Sequence, residues 1–105
     1  MRFVETHVFT AALRRHLDDE RYRRLQIALM LRPEQGPVIK HSGGLRKVRW
    51  GISGGGKRGG LRVIYHWAAN EQTFYMLYAY TKAEQGDLTP RQTRELGRMV
   101  REEFE

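Results

Sequence analysis

Apolar residues in the N-terminal third of the chain recur every three or four positions, the spacing that puts them on one face of a helix. Thr6 can cap a first helix, whose predicted stripe consists of Val8, Phe9, Ala12, Leu13 and Leu17. A second helix begins after Asp18 and must end near Pro33, because the residue before a proline avoids helical geometry. Its stripe consists of Tyr22, Leu25, Ala28 and Leu29. The pattern therefore predicts two consecutive N-terminal helices.

The spacing changes in the middle of the chain to the alternation typical of β-strands. Residues 45–52 and 61–67 alternate in this way, whereas residues 73–82 are apolar almost without interruption. A continuous apolar run predicts a central strand that is covered on both faces. Polarity returns only at Thr81 and Lys82, where this strand should emerge from the core.

Alternation also assigns the basic residues of the first two strands to faces. Lys47 and Arg49 share one face of the first strand, and Val48 and Trp50 share the other. On the second strand, Arg62 lies on the face opposite to three bulky residues, which are Val63, Tyr65 and Trp67. We expect the large aromatic side chains to point toward the core.

A final helix is predicted from residue 90 onward. Thr89 can cap it, Pro90 takes the first helical position, and Gln92 completes the capping-box pattern. Its apolar stripe consists of Leu96, Met99, Val100 and Phe104. With a short first strand at residues 2–5, the predicted fold is α+β: two N-terminal helices packed on a mainly antiparallel sheet, with a C-terminal helix. Residues 1–105 are expected to form a single domain.

Charge adds a second signal to this pattern. The chain has 19 basic and 12 acidic residues, a net charge of +7, and residues 35–70 contain no Asp or Glu. Seven basic residues lie in that stretch: Lys40, Arg46, Lys47, Arg49, Lys57, Arg58 and Arg62. A basic surface without acids binds phosphates and releases their counterions, so the expected partner is a nucleic acid. The alternative is a solvated loop in a protein that is generally rich in arginine.

The arginines of the first two helices are interpreted differently. They lie beside Asp18, Asp19 and Glu20, so the sequence predicts an ordinary solvated face for them. The residues concerned are Arg14, Arg15, Arg21, Arg23 and Arg24.

Several classes of function are excluded or disfavoured by composition. The chain has no cysteine, which removes thiol catalysis and cysteine metal sites. The longest apolar run, residues 74–80, is too short to span a membrane, and residues 1–9 lack the layout of a signal peptide. We expect a cytoplasmic protein without membrane contact.

The glycines of residues 51–60 resemble two phosphate-binding motifs. Gly51 to Lys57 fits the first part of a Walker loop, but Arg58 stands where Ser or Thr would hold magnesium. Both motifs also require a helix to follow, and residues 61–67 have the pattern of a strand. The sequence instead predicts a hairpin loop with Lys57 and Arg58 at its tip.

Histidine chemistry is a weaker alternative. His41 and His66 flank the basic stretch, and a nuclease of the two-histidine type would need them to converge on one phosphate. No group of His, Asp and Glu has the spacing of a metal site, and the basic surface would repel a cation. No cofactor and no metal are implied.

Three segments resemble the RelE/ParE toxin superfamily, and in particular its HigB branch. They are GGLRKVR at 43–49, GKRGGLRVIY at 56–65 and YTKAEQGDL at 80–88. The resemblance implies a bacterial toxin of a type II toxin–antitoxin system that is held inactive by a cognate antitoxin. RelE-like members cleave messenger RNA in the A site of the 70S ribosome, whereas ParE-like members inhibit DNA gyrase.

The resemblance also implies which residues would cleave RNA. The 2′-hydroxyl attacks the adjacent phosphate without a metal, and basic side chains stabilise the phosphorane. Carried over to this chain, the basic residues around the scissile phosphate are Lys47, Arg49, Arg62 and Lys82. Lys57 and Arg58, on a loop that RelE-like chains do not share, are further candidates. The expected catalytic residues are Arg62, Lys82 and Lys57, and the expected RNA-binding residues are Arg46, Lys47, Arg49 and Arg58. The tyrosine near the end of RelE corresponds to Leu88, and Tyr80 is the nearest phenol.

Two other functions remain open from the sequence. The chain can be a ParE-like gyrase inhibitor without chemistry of its own, or a non-catalytic RNA-binding module. The expected protein partner is an antitoxin with an acidic segment that covers Lys47, Arg49, Lys57 and Arg62. A higher toxin–antitoxin assembly on promoter DNA is a further arrangement that the resemblance allows.

Overall fold

The computed structural model of the chain describes residues 1–52 and 60–103. Its strands are β1 (Arg2–Glu5), β2 (Arg46–Trp50), β3 (Leu61–Ala68) and β4 (Thr73–Thr81). Its helices are α1 (His7–His16), α2 (Asp19–Leu31) and α3 (Pro90–Glu103), and a short 3-10 turn, Ala69–Glu71, joins β3 to β4. The observed elements follow the predicted order, and the predicted strand at residues 2–5 is present.

The four strands form one sheet in the order β1-β4-β3-β2. β1 runs parallel to β4, while the β4–β3 and β3–β2 pairs are antiparallel. The predicted α+β class and the mainly antiparallel sheet are therefore confirmed. β4 is an inner strand, as its apolar run predicted, and β2 lies at an edge.

The two faces of the sheet are covered by different helices. One face packs against α1 and α2 through Phe9, Leu25 and Leu29, all of which are fully buried. The other face packs against α3 through Val100, with Leu96 and Met99 partly buried beside it. Hydrophobic burial on both faces explains why the residues of β3 and β4 are nearly all apolar.

The helix starts agree with the caps predicted at Thr6 and Thr89, and the structure adds Asp18 as the cap of α2. The Thr6 side chain accepts a hydrogen bond from the Phe9 amide at 3.0 Å, and the Asp18 carboxylate accepts one from the Arg21 amide at 2.8 Å. At α3, the Gln92 amide donates to the Thr89 hydroxyl at 3.0 Å, and the Thr89 amide donates to the Gln92 side-chain oxygen at 2.9 Å. This is the reciprocal bonding of a capping box.

One detail of the predicted apolar stripes differs. Val8 was assigned to the buried face of α1 but is 58 % exposed. It stands about 100° around the helix from Phe9, at the edge of the stripe, so the sheet does not cover it. Phe104, predicted to be buried on α3, lies outside the described residues.

None of the helices in residues 1–52 and 60–103 is long and apolar enough to cross a membrane.

Candidate functional site

Basic residues from two strands meet on the sheet face that α3 partly covers. Arg49 of β2 is the direct partner of Arg62 of β3, and Arg62 is in turn the partner of Tyr80 of β4. Paired residues share a face, and neighbouring strands lie about 4.8 Å apart. The three side chains therefore form a row across the sheet, and Lys47 lies on the same face of β2, two residues from Arg49.

Arg62 occupies the middle of this row and is only 6 % exposed. Its Nη1 donates to the Gly60 carbonyl at 3.3 Å. Among the described residues it forms no ion pair with a carboxylate. Arginine is seldom this buried unless it is paired with an anion. The face thus holds a positive charge that a bound phosphate could neutralise.

Asp87 is the acidic residue of the site, and it was not selected from the sequence. Its Oδ1 lies 3.3 Å from Lys47 Nζ and accepts hydrogen bonds from Tyr80 Oη at 3.3 Å and from the Leu88 amide at 2.8 Å. The Leu88 amide, and after it Lys47, hold the pKa of Asp87 below its ordinary value. Asp87 is therefore ionised at neutral pH, and it orients both Lys47 and Tyr80.

Tyr80 contributes a buried phenol to the same site. Burial, and after it the Asp87 carboxylate, raises the pKa of Tyr80 to about 12, although the neighbouring Arg62 opposes this shift. The hydroxyl is therefore protonated at neutral pH, and it donates to Asp87. Tyr80 is 1 % exposed, which agrees with its interpretation as a core residue whose hydroxyl is satisfied.

Lys82 lies one residue beyond the end of β4 and is exposed. Because Thr81 pairs with Leu61, this end of β4 adjoins the start of β3, where Arg62 lies. The turn is held by Glu84, which accepts hydrogen bonds from the Thr81 amide at 2.8 Å and the Thr81 hydroxyl at 3.1 Å. The Thr81 amide is the main cause of a lowered pKa for Glu84. Lys82 and Arg62 are thus at the same end of the sheet.

One of the predicted site residues, Arg46, is not brought to this face. Arg46 alternates with Lys47, so it lies on the opposite side of β2. There its Nη1 donates to the carbonyls of Glu34 and Gly36 at 3.0 and 2.9 Å. Arg46 therefore holds the loop before β2 in place. Lys57 and Arg58 lie outside the described residues.

His66 and His41 lie in different structural environments. His66 is on β3, with its ring stacked on Tyr75 at a centroid distance of 6.2 Å. His41 is exposed in the loop before β2, with a φ of 60°. Stacking on a sheet neighbour is usual for a structural histidine. Within residues 1–52 and 60–103, no three His, Asp or Glu side chains are grouped closely enough to hold a metal ion.

Comparison with known proteins gives one family and one fold. A sequence model described as "RelE toxin of RelE / RelB toxin-antitoxin system" matches residues 1–104. A free E. coli RelE double arginine-to-alanine mutant superposes with a TM-score of 0.52 at 12 % identity, covering 80 % of this chain and 85 % of that one. The intact E. coli RelBE toxin–antitoxin complex gives a TM-score of 0.50 at 14 % identity, covering 73 % of this chain and 90 % of the matched chain. At these identities, the two structures establish similarity of fold.

Proposed function

The chain belongs to the RelE family of toxins from toxin–antitoxin systems, and on that premise we propose that it is a ribosome-dependent endoribonuclease acting on messenger RNA in the A site. The observation that carries the proposal is Arg62. A buried guanidinium without a carboxylate partner among the described residues costs stability, and a scissile phosphate bound beside it would offset that cost.

The proposed reaction needs only basic side chains. The 2′-hydroxyl oxygen attacks the adjacent phosphorus, the bond from phosphorus to the 5′-oxygen breaks, and the products are a 2′,3′-cyclic phosphate and a 5′-hydroxyl. The proton of the 2′-hydroxyl is lost and another is delivered to the leaving oxygen. Charge accumulates on the phosphorane, so fixed cations that meet it there stabilise the transition state.

Each basic residue has a proposed role in this reaction. Arg62 binds the non-bridging phosphate oxygens, and Lys82 stabilises the leaving oxygen at the open end of the sheet. Lys47 and Arg49 bind the flanking phosphates of the message. In the free protein, Lys47 contacts Asp87, and arriving RNA would exchange that carboxylate for a phosphate. Lys57 is a further catalytic candidate and Arg58 a further RNA contact, because both are basic residues of a loop that RelE-like chains do not share.

An antitoxin is the proposed protein partner. The similarity of fold to a toxin–antitoxin complex supports it, and the basic face indicates that the antitoxin presents an acidic segment. Such a segment would cover Arg62 and Arg49 and block access of RNA. Because the substrate is translated messenger RNA, we place the activity in the bacterial cytoplasm.

The test is cleavage with and without ribosomes. Purified protein is incubated with messenger RNA alone and with the same RNA in translating ribosomes, and 5′ ends are mapped. We expect cuts within codons only in the ribosome sample, and their loss in the Arg62→Ala, Lys82→Ala double variant. The control is Arg94→Ala, Arg98→Ala, which removes the same charge from the exposed side of α3. Intact RNA in every sample would contradict the proposal, and a supercoiling assay would then test inhibition of gyrase.

A further inference from the structure

A groove of about 720 Å³ runs along the outer edge of the sheet, between α2 and β2. Its basic lining consists of Arg21, Arg24, Arg32, Lys47 and Arg49. The sequence predicted an ordinary solvated face for the arginines of α2. Arg21 and Arg24 are solvated, as predicted, and the packing of α2 also places them opposite β2.

The positive charge of the groove is only partly compensated. Arg21 pairs with Asp18 at 3.4 Å and Arg24 with Glu20 at 2.9 Å, and all four side chains are well exposed. Exposed ion pairs are weak because water screens them, so a phosphate can replace the carboxylates. Arg32 and Arg49 form no ion pair within residues 1–52 and 60–103. The groove therefore attracts an anion.

The groove also presents an aromatic surface. Trp50 lines it, is only partly buried, and also packs against the core beneath α1 and α2. A partly exposed indole is a platform on which a nucleobase can stack. The aromatic residue that was expected on the core side is thus shared between the core and the groove.

Backbone groups complete the lining. The Lys47 amide donates outward from the sheet, to the Pro37 carbonyl at 3.1 Å. In an antiparallel strand every second residue points its N–H and C=O to the same edge, so those of Arg49 also face outward. No strand of the described part of the chain pairs with β2 at Arg49. Its backbone donor and acceptor can therefore bind the edge of a base.

We propose that this groove binds the nucleotide of single-stranded RNA that adjoins the scissile phosphate, with its base on Trp50 and its phosphate between Arg24, Arg32 and Arg49. The proposal rests on the proposed RNA-cleaving function. Lys47 and Arg49 belong both to the face around Arg62 and to the groove, because β2 is the edge strand. An RNA strand can therefore pass from Arg62 over β2 into the groove without leaving the basic surface.

The test uses the emission of Trp50 as a probe. The chain has two tryptophans, so Trp67→Phe leaves Trp50 as the single indole. Titration with a hexauridylate should quench this emission, because the base stacks on the ring. Arg24→Gln, Arg32→Gln should weaken binding about tenfold and lower the slope of log affinity against log salt by about 0.7, which corresponds to the loss of one phosphate contact.

A matched control removes the same charge outside the groove. Arg14→Gln, Arg23→Gln changes two exposed arginines of α1 and α2 that do not line it, and should leave the affinity close to that of the parent. Trp50→Leu should reduce the affinity for labelled hexauridylate, whereas Trp50→Phe should restore much of it, since stacking needs an aromatic ring.

Three results would overturn the proposal. The first is equal weakening by the groove and control variants, and the second is an unchanged Trp50 emission on addition of RNA. The third is quenching by a hexaglutamate peptide but not by RNA, which would assign the groove to an acidic protein. Retained oligonucleotide binding in a protein that never cleaves ribosome-bound message would support the groove and refute the nuclease, so the two failures are distinguishable.

Discussion

Arg62 is the residue on which stability and proposed function conflict. It is the single charged residue among the buried side chains of residues 1–52 and 60–102, and no carboxylate there neutralises it. A charge in this setting destabilises the free protein, because burial removes the water that would solvate it. A bound phosphate would replace the missing water as the partner of the guanidinium charge. The stability that Arg62 costs in the free protein would therefore be regained on binding.

Arg62→Met should therefore separate the two properties. The apolar side chain fills a similar volume without a buried charge, so we expect the free energy of unfolding to stay level or rise by up to about 2 kcal/mol. Urea unfolding monitored by circular dichroism measures this, and RNA cleavage should be lost in the same preparation. A drop in stability of more than about 2 kcal/mol would show that Arg62 is mainly structural.

Acid should weaken the end of the sheet that carries Lys82. The pKa values of Glu84 and Asp87 lie below their ordinary values of 4.5 and 3.8, so both carboxylates bind protons less readily in the folded state. Their contribution to stability is complete above pH 4.5 and is lost as the pH falls through the lowered values. Unfolding free energies measured from about pH 6 to pH 3 should fall less steeply for Glu84→Gln, Asp87→Asn. If the unfolding free energy of the variant fell with pH as steeply as that of the parent, the two carboxylates would not be the cause of the acid sensitivity.

At the scale of single residues, sequence analysis identified some site members and missed others. Alternation correctly predicted that Lys47 and Arg49 share one face of β2, whereas the assignment of these residues and Arg62 to an RNA-cleaving site came from the resemblance and stays a prediction. Asp87 was missed because its contact with Lys47 spans 40 residues of sequence and depends on how the turn after β4 folds back. No local pattern encodes such a contact.

At the scale of elements, local signals predicted the helices and strands well. Caps at Thr6, Asp18 and Thr89 fixed the helix starts, since each side chain meets an amide only three residues away. The groove between α2 and β2 could not be predicted in this way. It arises from the packing of two separate elements, and the periodicity of α2 shows only which of its residues face the core.

Gly97 provides a test of packing against helix propensity. Alanine normally stabilises a helix interior by about 1 kcal/mol relative to glycine. Here a Cβ at position 97 would lie 2.5 Å from the backbone carbonyl oxygen of Ser42, so α3 or the loop before β2 would have to move. We expect Gly97→Ala to destabilise the protein by about 1–3 kcal/mol in urea unfolding.

Gly86 is the matched control for that substitution. A Cβ there would meet no atom within 4 Å, so Gly86→Ala should change stability by less than about 0.5 kcal/mol. If Gly97→Ala proved as stable as the parent, the result would contradict the close packing of α3 against the backbone of Ser42.

At the scale of the whole molecule, the excess charge is organised around the edge strand β2. Its residues Lys47 and Arg49 belong both to the face around Arg62 and to the groove beneath α2. The composition predicted a polyanion as the partner but not that two helical arginines would extend the surface. The fold joins these regions because, in the described part of the chain, β2 has a full strand on one side and faces the groove lined by α2 on the other.

The central claim is that Arg62 stabilises the phosphorane during cleavage of ribosome-bound message. Its most direct test is the single-turnover cleavage rate in programmed ribosomes at saturating protein, for the parent chain and for Arg62→Gln. Loss of one charged donor at the reacting phosphate should lower the rate about 10²–10³-fold while binding to the ribosome stays nearly unchanged. A rate close to that of the parent, at equal occupancy, would contradict the account.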